Sequence, residues 1–359
     1  MKKLIIIQVV APDYRKRFFE HLHKKLGKDF HLYTGDVDFQ KSIRTDSKID
    51  KTKIKNIFFF KRSLLFQFGK HWRDLFKNNV IVVGLNPRII SSWVFLILRK
   101  PLGLKTYVWG HAWPRKGQNS KTARIRFLMQ LLATGTITYT ESQRDEILAK
   151  HPKINVVSAP NALYFEHEMQ HNDSGLNDTN NIIYVGRLTS AKKPFFLVKA
   201  FHKLLDLDMN LIIVGDGPER KKIDEYVEVH NLDSRVQLMG HINDFNQLRN
   251  LYKQALISVS PGYVGLSITQ SFAFGIPMLI SRNENHSPEI EAAKEDENAI
   301  FFETDSIENI CIKLQKVLKN KHEYISNRAK IANYCKRHYS IEKMSTPFIK
   351  LGSSFRLLL

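Results

Sequence analysis

Apolar residues in the first 160 positions come in short bursts. Leu4–Val10, Ile57–Phe60, Val80–Val83, Thr106–Trp109 and Thr136–Tyr139 are β-branched or aromatic runs, and longer stretches with helical spacing, such as Tyr14–Leu26 and Thr122–Leu132, lie between them. That alternation predicts βαβ repetition and a parallel sheet. It stops between Glu166 and Asn181, where His171-Asn172-Asp173-Ser174-Gly175 and Asn177-Asp178-Thr179-Asn180 are turn-forming and carry almost no apolar periodicity. It restarts with Ile182–Val185, Leu211–Val214, Val236–Met239, Leu256–Val259, Met278–Ile280 and Ile300–Phe302. The pattern therefore predicts an α/β chain of two Rossmann-like, doubly wound domains facing each other across a cleft. The expected divisions are a first domain over 1–165, a linker over 166–180, a second domain over 181–335, and a C-terminal helical segment over 336–359 that returns to the first. A length of 359 residues suits two domains of ordinary size.

Composition narrows the class. No apolar run approaches the roughly 18 residues of a membrane span. Met1-Lys2-Lys3 followed by Leu4–Val10 imitates a signal peptide, but the stretch runs into Asp13, Arg15, Lys16 and Arg17 without a small-residue cleavage site, so it reads as a buried strand. Cys311 and Cys335 lack disulfide-framework or zinc spacing, and a reducing cytoplasm is the expectation. The net charge of +20 is uneven: residues 1–160 hold 31 Lys+Arg against 11 Asp+Glu, and the remainder holds 24 of each. Such an excess calls for an anionic partner. Within it, Lys51–Lys77 interleaves Lys53, Lys55, Lys61, Arg62, Lys70 and Arg73 with Phe58, Phe59, Phe60, Phe66, Phe68 and Trp72, a composition suited to an anionic membrane surface. The plainer reading makes these aromatics part of the core and the charges a solvated face.

In open α/β sheets ligands bind beyond the carboxyl ends of the strands. After Ile182–Val185 come Gly186-Arg187-Leu188, with Lys192 just before a helix that opens near Pro194. Two cations beside a helix start could hold a nucleotide diphosphate. Leu211–Val214 runs into Gly215-Asp216-Gly217-Pro218-Glu219-Arg220, mostly a tight turn with Pro in the first turn of a helix. Ser260-Pro261-Gly262-Tyr263-Val264-Gly265 leaves another strand and leads into an expected helix, Leu266–Phe274.

Gly186-Arg187-Leu188 with Lys192, Gly215-Asp216-Gly217-Pro218-Glu219, Gly265-Leu266 with Ser271, Gly275 and Pro277, and Pro288-Glu289 together resemble the retaining, family 4 glycosyltransferases of the GT-B type. The resemblance is strong over 181–303 and looser elsewhere, where Trp109-Gly110-His111 looks like that family's histidine position and Tyr14-Arg15 like its first loop. It implies a catalytic group of His111, Arg187 and Lys192. Donor contacts would come from Gly186, Gly215, Gly240, His241, Gly262, Tyr263, Val264, Gly265, Leu266, Gln270 and Glu289, and acceptor or first-loop contacts from Tyr14 and Arg15. One departure stands out. Where the family has two glutamates separated by seven residues, this chain has Gly262 and Gln270. The Gln270 carbonyl oxygen can still accept a ribose hydroxyl, at a loss of about 1 kcal/mol for a neutral bond, and Glu289 is the candidate replacement for the first carboxylate.

The resemblance implies sugar transfer from a UDP- or GDP-linked donor, with no cofactor and no metal, to a lipid-linked or other glycan acceptor in bacterial cell-surface polysaccharide (O-antigen or capsule type) biosynthesis. The expected location is cytoplasmic, peripheral at the inner face of the membrane. Three other classes fit the sequence less well. A non-catalytic GT-B partner or regulator is opposed by the intact Arg187, Lys192 and His111. A nucleic-acid binder has no supporting motif. A nucleotide-sugar epimerase lacks a convincing acid/base pair.

Overall fold

The structure, a computed structural model, describes residues 2–41, 43–114, 117–170 and 180–353. The chain forms two compact units, Met1–Leu163 with Ile341–Leu359 and Tyr164–Ser340, and each is described by itself. Most of the linker expected at 166–180 lies outside the described residues.

In the first unit the strands are β1 (Leu4–Gln8), β2 (Phe30–Thr34), β3 (Thr52–Lys53), β4 (Lys55–Phe59), β5 (Leu64–Phe68), β6 (Val80–Gly84), β7 (Thr106–Trp109), β8 (Gly135–Thr138) and β9 (Val156–Ser158). The helices between them are α1 (Lys16–Leu26), α2 (Ile90–Arg99), α3 (Lys121–Leu132) and α4 (Glu141–Lys150). Seven strands make one parallel sheet in the order β3-β2-β1-β6-β7-β8-β9. Leu4-Ile5-Ile6-Ile7 and Val80-Ile81-Val82-Val83 are buried throughout, as strands covered on both faces must be. Ile5, Ile7, Ile81 and Val83 pack with Phe95 and Leu96 of α2.

The run Ile57–Phe60 does not join that sheet. It belongs to β4, which pairs antiparallel with β5 alone. Its side chains are half-buried or exposed rather than enclosed, so it makes a hairpin with one solvated side. Phe30–Thr34 is a core strand that its polar His31 and Thr34 concealed.

The second unit contains β10 (Asn181–Val185), α5 (Pro194–His202), β11 (Asn210–Val214), α6 (Arg220–Val229), β12 (Val236–Gly240), α7 (Phe245–Lys253), β13 (Ala255–Ser260), α8 (Ser267–Ala273), β14 (Met278–Ser281), β15 (Ala299–Phe302), α9 (Ile307–Lys319), α10 (Lys321–Ser326) and α11 (Arg328–Tyr339). Its parallel sheet runs β12-β11-β10-β13-β14-β15, the Rossmann order. Ile182, Leu211, Leu256 and Leu279 from the strands enclose Leu197 and Phe201 of α5 and Leu314 of α9. Burial of each such side chain contributes roughly 1.5–3 kcal/mol.

The divisions fall after Leu163 and Ser340 rather than at 165 and 335. Tyr164 belongs to the second unit because its ring packs on Phe245 and Phe274. Residues 336–340 belong there because α11 packs on α8, with the buried Cys335 thiol donating to the Thr269 carbonyl at 3.3 Å. The segment that does pack on the first unit is α12 (Ile341–Ser353). Its Phe348 sits edge-on to Phe18 of α1 and to Trp109, with ring centroids 5.2 and 4.8 Å apart.

Candidate functional site

The second unit's sheet reverses its winding between β10 and β13, and such a switch point opens the crevice in which α/β sheets bind ligands. Three loops meet there through their backbones. A Cβ on Gly262 would lie 2.4 Å from the Ala191 carbonyl oxygen and 2.7 Å from the Lys192 backbone. A Cβ on Gly215, at φ +149°, would lie 1.9 Å from the Gly186 carbonyl oxygen, and one on Gly217 would lie 2.5 Å from that of Leu188. Backbone bonds lock the contact: Gly186 N–H donates to Val214 O, Leu188 N–H to Asp216 O, and Tyr263 N–H to Ala191 O.

Two adjacent lysines leave this junction for different tasks. Lys193, in the left-handed region at φ +51°, is held by Glu284 and Asp305, each at 2.6 Å. Lys192 has neither carboxylate. Its ammonium donates to the Tyr263 carbonyl at 3.3 Å and lies 4.2 Å from the centre of the Tyr263 ring. Desolvation, and next the Arg187 charge, lower its pKa to about 8, while Glu289 pulls it up. Glu289 is buried on the short helix Pro288–Ala292, close enough for its charge to act on Lys192. Arg187 is exposed, and its own carbonyl accepts from Tyr184 Oη at 3.0 Å. The junction is thus a concentrated positive site.

The turn before α8 completes it. Val264 is fully buried, and its N–H donates to His286 Nδ1 at 3.0 Å, so that amide serves the protein rather than a ligand. His286 Nε2 in turn donates to Ser281 O at 2.9 Å. With one ring nitrogen accepting and the other donating, His286 is the neutral tautomer, and burial holds its pKa below 6.5. Among the described residues the next three amides, Gly265, Leu266 and Ser267, donate to no protein acceptor. They point to an anion site, although α8 has only seven residues and adds little dipole. Gly265 has open space, a Cβ there coming no nearer than 3.7 Å to Ser287. Gln270 is held by two tyrosines: its Nε2 donates to Tyr164 Oη at 2.8 Å, and Tyr252 Oη approaches Oε1 at 3.5 Å. Gly240 and His241 end β12, the edge strand two places from the switch point. The Gly240 carbonyl accepts from Gly215 N–H, and His241 is exposed.

In the first unit Tyr14, Arg15 and His111 gather around Tyr139, which follows β8. The buried Arg15 donates to Tyr139 Oη at 3.0 Å and to Asn161 Oδ1 at 3.3 Å, and its guanidinium lies 4.6 Å from the Trp109 ring centre. His111 is half-buried with its ring edge-on to Tyr139 at 4.7 Å, while Tyr14 is 39% exposed. Tyr139 and His286 were not singled out from the sequence. Each lies at or just beyond a strand's carboxyl end, the one signal that could have marked them.

Comparison with known proteins agrees with this architecture. The fold is GT-B, two Rossmann-like domains, and the solved Anabaena HepE in complex with UDP has it too, with a TM-score of 0.70 at 12% identity over 99% of this chain and 100% of that one. Residues 166–338 match the family described as Glycosyl transferases group 1. An uncharacterized glycosyltransferase of Haemophilus influenzae is 23% identical over 84% of both chains. Another, from Methanocaldococcus jannaschii, is 28% identical over 43% of this chain, which spans only 40% of that relative's length. Residues 166–338 therefore carry a glycosyltransferase domain of the group 1 type, and the relatives named here are glycosyltransferases.

Two expectations follow from this geometry. Gly262→Ala forces a methyl into backbone atoms and should cost about 1–3 kcal/mol, read as a fall in denaturation midpoint at constant slope. Gly262→Glu, which would introduce the glutamate that the family resemblance implies at this position, should lower stability further; a stable Gly262→Glu protein would show that the junction is not as tight as described. For pH, Lys192 has a depressed pKa, so the empty protein gains stability as pH rises from about 8 to 10.5. Anion affinity at the site should fall over the same rise, because the charge is lost. His286, also depressed, contributes stability above pH 6.5 that is lost as pH falls below it. Titrating melting temperature and ligand affinity against pH checks both signs.

Proposed function

We propose that the protein transfers a glycosyl group, with retention and without a metal, from a UDP- or GDP-linked sugar to a lipid-linked or other glycan acceptor in bacterial cell-surface polysaccharide assembly. The observation that carries this reading is the pairing of Arg187 with the desolvated Lys192 beside three amides that lack acceptors. In the transfer, the bond between the anomeric carbon and the diphosphate breaks and the acceptor oxygen bonds to that carbon on the same face. The acceptor's hydroxyl proton passes to an oxygen of the departing diphosphate, which carries the developing charge. Fixed cations and backbone N–H groups stabilise that charge more in the transition state than in the ground state. The UDP held by the Anabaena neighbour supports a uridine donor. Glu289 beside Lys192 is assigned to the sugar hydroxyls, and the His111–Arg15–Tyr139 group to the first unit's share of the reaction.

The same reading places the protein at an anionic membrane surface on the cytoplasmic side. Among the described residues no helix is long and apolar enough to cross a membrane. Phe60, Phe68 and Phe76 of the expected Lys51–Lys77 region are exposed. A second apolar surface lies on α2 and α3, where Ile97, Leu98, Leu102, Ile125, Leu128 and Leu131 are all 41–56% exposed. From Leu75 to Thr140 the chain has ten Lys and Arg and no Asp or Glu. An apolar face fringed by cations alone suits acidic lipid headgroups.

Nucleoside diphosphates should raise the melting temperature, since a ligand at about 100 times its dissociation constant stabilises by roughly 2.7 kcal/mol. One nucleotide should dominate, and Arg187→Ala should abolish the shift and lower kcat/KM by about 100-fold. An Arg187→Ala enzyme within twofold of wild type would overturn the assignment, and activity lost in excess EDTA would overturn metal independence. Leu98→Glu with Leu128→Glu should release the protein from anionic liposomes at low salt while leaving the nucleotide shift unchanged; wild-type protein that fails to sediment with such liposomes would remove the membrane from the proposal.

A further inference from the structure

The first unit holds a cavity of about 790 Å3 whose lining shares no residue with the Arg15–His111–Tyr139 group. It opens just beyond the carboxyl end of β2, next to the β1 strand that flanks this sheet's switch point, and is bounded by the β4–β5 hairpin. Its walls carry five cations and one carboxylate. The carboxylate, Asp36, pairs with Lys53 at 2.5 Å. Among the described residues Lys41, Arg44, Lys55 and Arg62 have no carboxylate partner. Unlike Lys193 in the second unit, Lys41, Arg44 and Lys55 are not neutralised from within, whereas Arg62 lies close enough to Asp38 to feel its carboxylate.

The hairpin holds one of them in place. Phe60, Lys61 and Arg62 at its tip are three successive non-glycine residues at positive φ, 48°, 50° and 66°, and such strain persists where the surroundings enforce it, often at ligand clamps. The Arg62 guanidinium is fixed against the Asp38 and Phe39 carbonyls and lies 3.6 Å from the centre of the Phe58 ring. Phe58 and Phe68 supply the apolar part of the wall, and Phe68 is 62% exposed to whatever enters.

We propose that this cavity binds the acceptor through a phosphoryl group attached to its sugar. The inference rests on the glycosyltransferase reading above and names the acceptor's chemistry. Unpaired Lys and Arg match phosphate oxygens, Arg by its two-pronged donors and Lys as a point charge. The volume lies in the range of sites for whole small molecules, far more than an inorganic anion needs, so a sugar ring occupies the remainder against Phe58 and Phe68.

Calorimetric titration of the whole protein with glucose 1-phosphate, glucose, inorganic phosphate and glucuronate tests it. Glucose 1-phosphate should bind at least tenfold tighter than the other three, and less tightly as salt rises. Arg44→Glu with Lys55→Glu should remove that preference, whereas Arg44→Lys with Lys55→Arg should retain it and show that charge, not shape, is read. Equal binding of glucose and glucose 1-phosphate, preference for glucuronate, or charge reversal without effect would each overturn the proposal. A stronger response to the same phosphosugar esterified to a polyprenol in micelles names a lipid-linked source, and an equal response names a soluble one; either supports the site. Arg187→Ala separates this inference from the donor reading: it should abolish the nucleotide shift and leave glucose 1-phosphate binding intact. A wild-type protein that binds glucose 1-phosphate in this way but no nucleotide would sink the donor reading and spare the cavity.

Discussion

The chemistry of the second unit depends on how closely its loops approach at the switch point. Gly215, Gly217 and Gly262 let the ends of β10, β11 and β13 meet backbone to backbone, at separations where a methyl group would overlap a carbonyl oxygen. The contact of Gly262 with Ala191 and Lys192 carries Lys192 against Tyr263, and the turn that continues from it presents the Gly265–Ser267 amides. Position 262 excludes every side chain. Glu289, arriving from a different loop, places negative charge near Lys192 without entering that contact.

Electrostatics separates two lysines that the sequence sets side by side. Lys193 is neutralised by Glu284 and Asp305 and pins its loop, a structural role. Lys192 is desolvated next to another cation, and the charge of Glu289 offsets that cost only in part, so an anion would relieve the rest. A site of this kind is less stable empty than filled. His286 is the complementary case: a neutral ring that keeps the Val264 turn in shape and stays below its ordinary pKa because burial disfavours its charge.

Much of this was legible in the sequence, for identifiable reasons. Strands buried on both faces, such as Ile182–Val185 and Val80–Val83, read as unbroken β-branched runs, and their carboxyl ends pointed directly to Arg187, Lys192 and Gly262. Phe30–Thr34 was hidden by alternating polar residues, and Ile57–Phe60 looked like a core strand because composition does not reveal which face is solvated. Val264 was read as part of the donor turn, but its amide belongs to His286, a long-range bond that spacing does not predict. Gln270 looked free to meet a ribose, yet its amide is stretched between Tyr164 and Tyr252. The division near residue 340 was missed because α11 is amphipathic like α12, and only tertiary packing decides which unit each covers.

The first unit's charge excess looked diffuse along the sequence and is sorted by the fold into different environments. Arg15 is buried against Trp109 and Tyr139, and Arg99 is spent on backbone carbonyls, donating to those of Asp74, Leu75, Lys77, Asn79 and Lys105. Arg99 is thereby unavailable to a partner, whereas Arg15 stays with the His111–Tyr139 group. Of what remains, one part lines the cavity beside the hairpin and another lies along the acid-free stretch that includes α2 and α3. A net charge of this size, arising only for solubility, would be scattered over a solvated surface. Here it borders exposed Phe68 in one place and exposed Leu98 and Leu128 in the other, so each patch offers cations and apolar surface together. That combination matches molecules with an anionic group and an apolar or ring-shaped body, which is the chemistry of phosphorylated glycans and of acidic lipids.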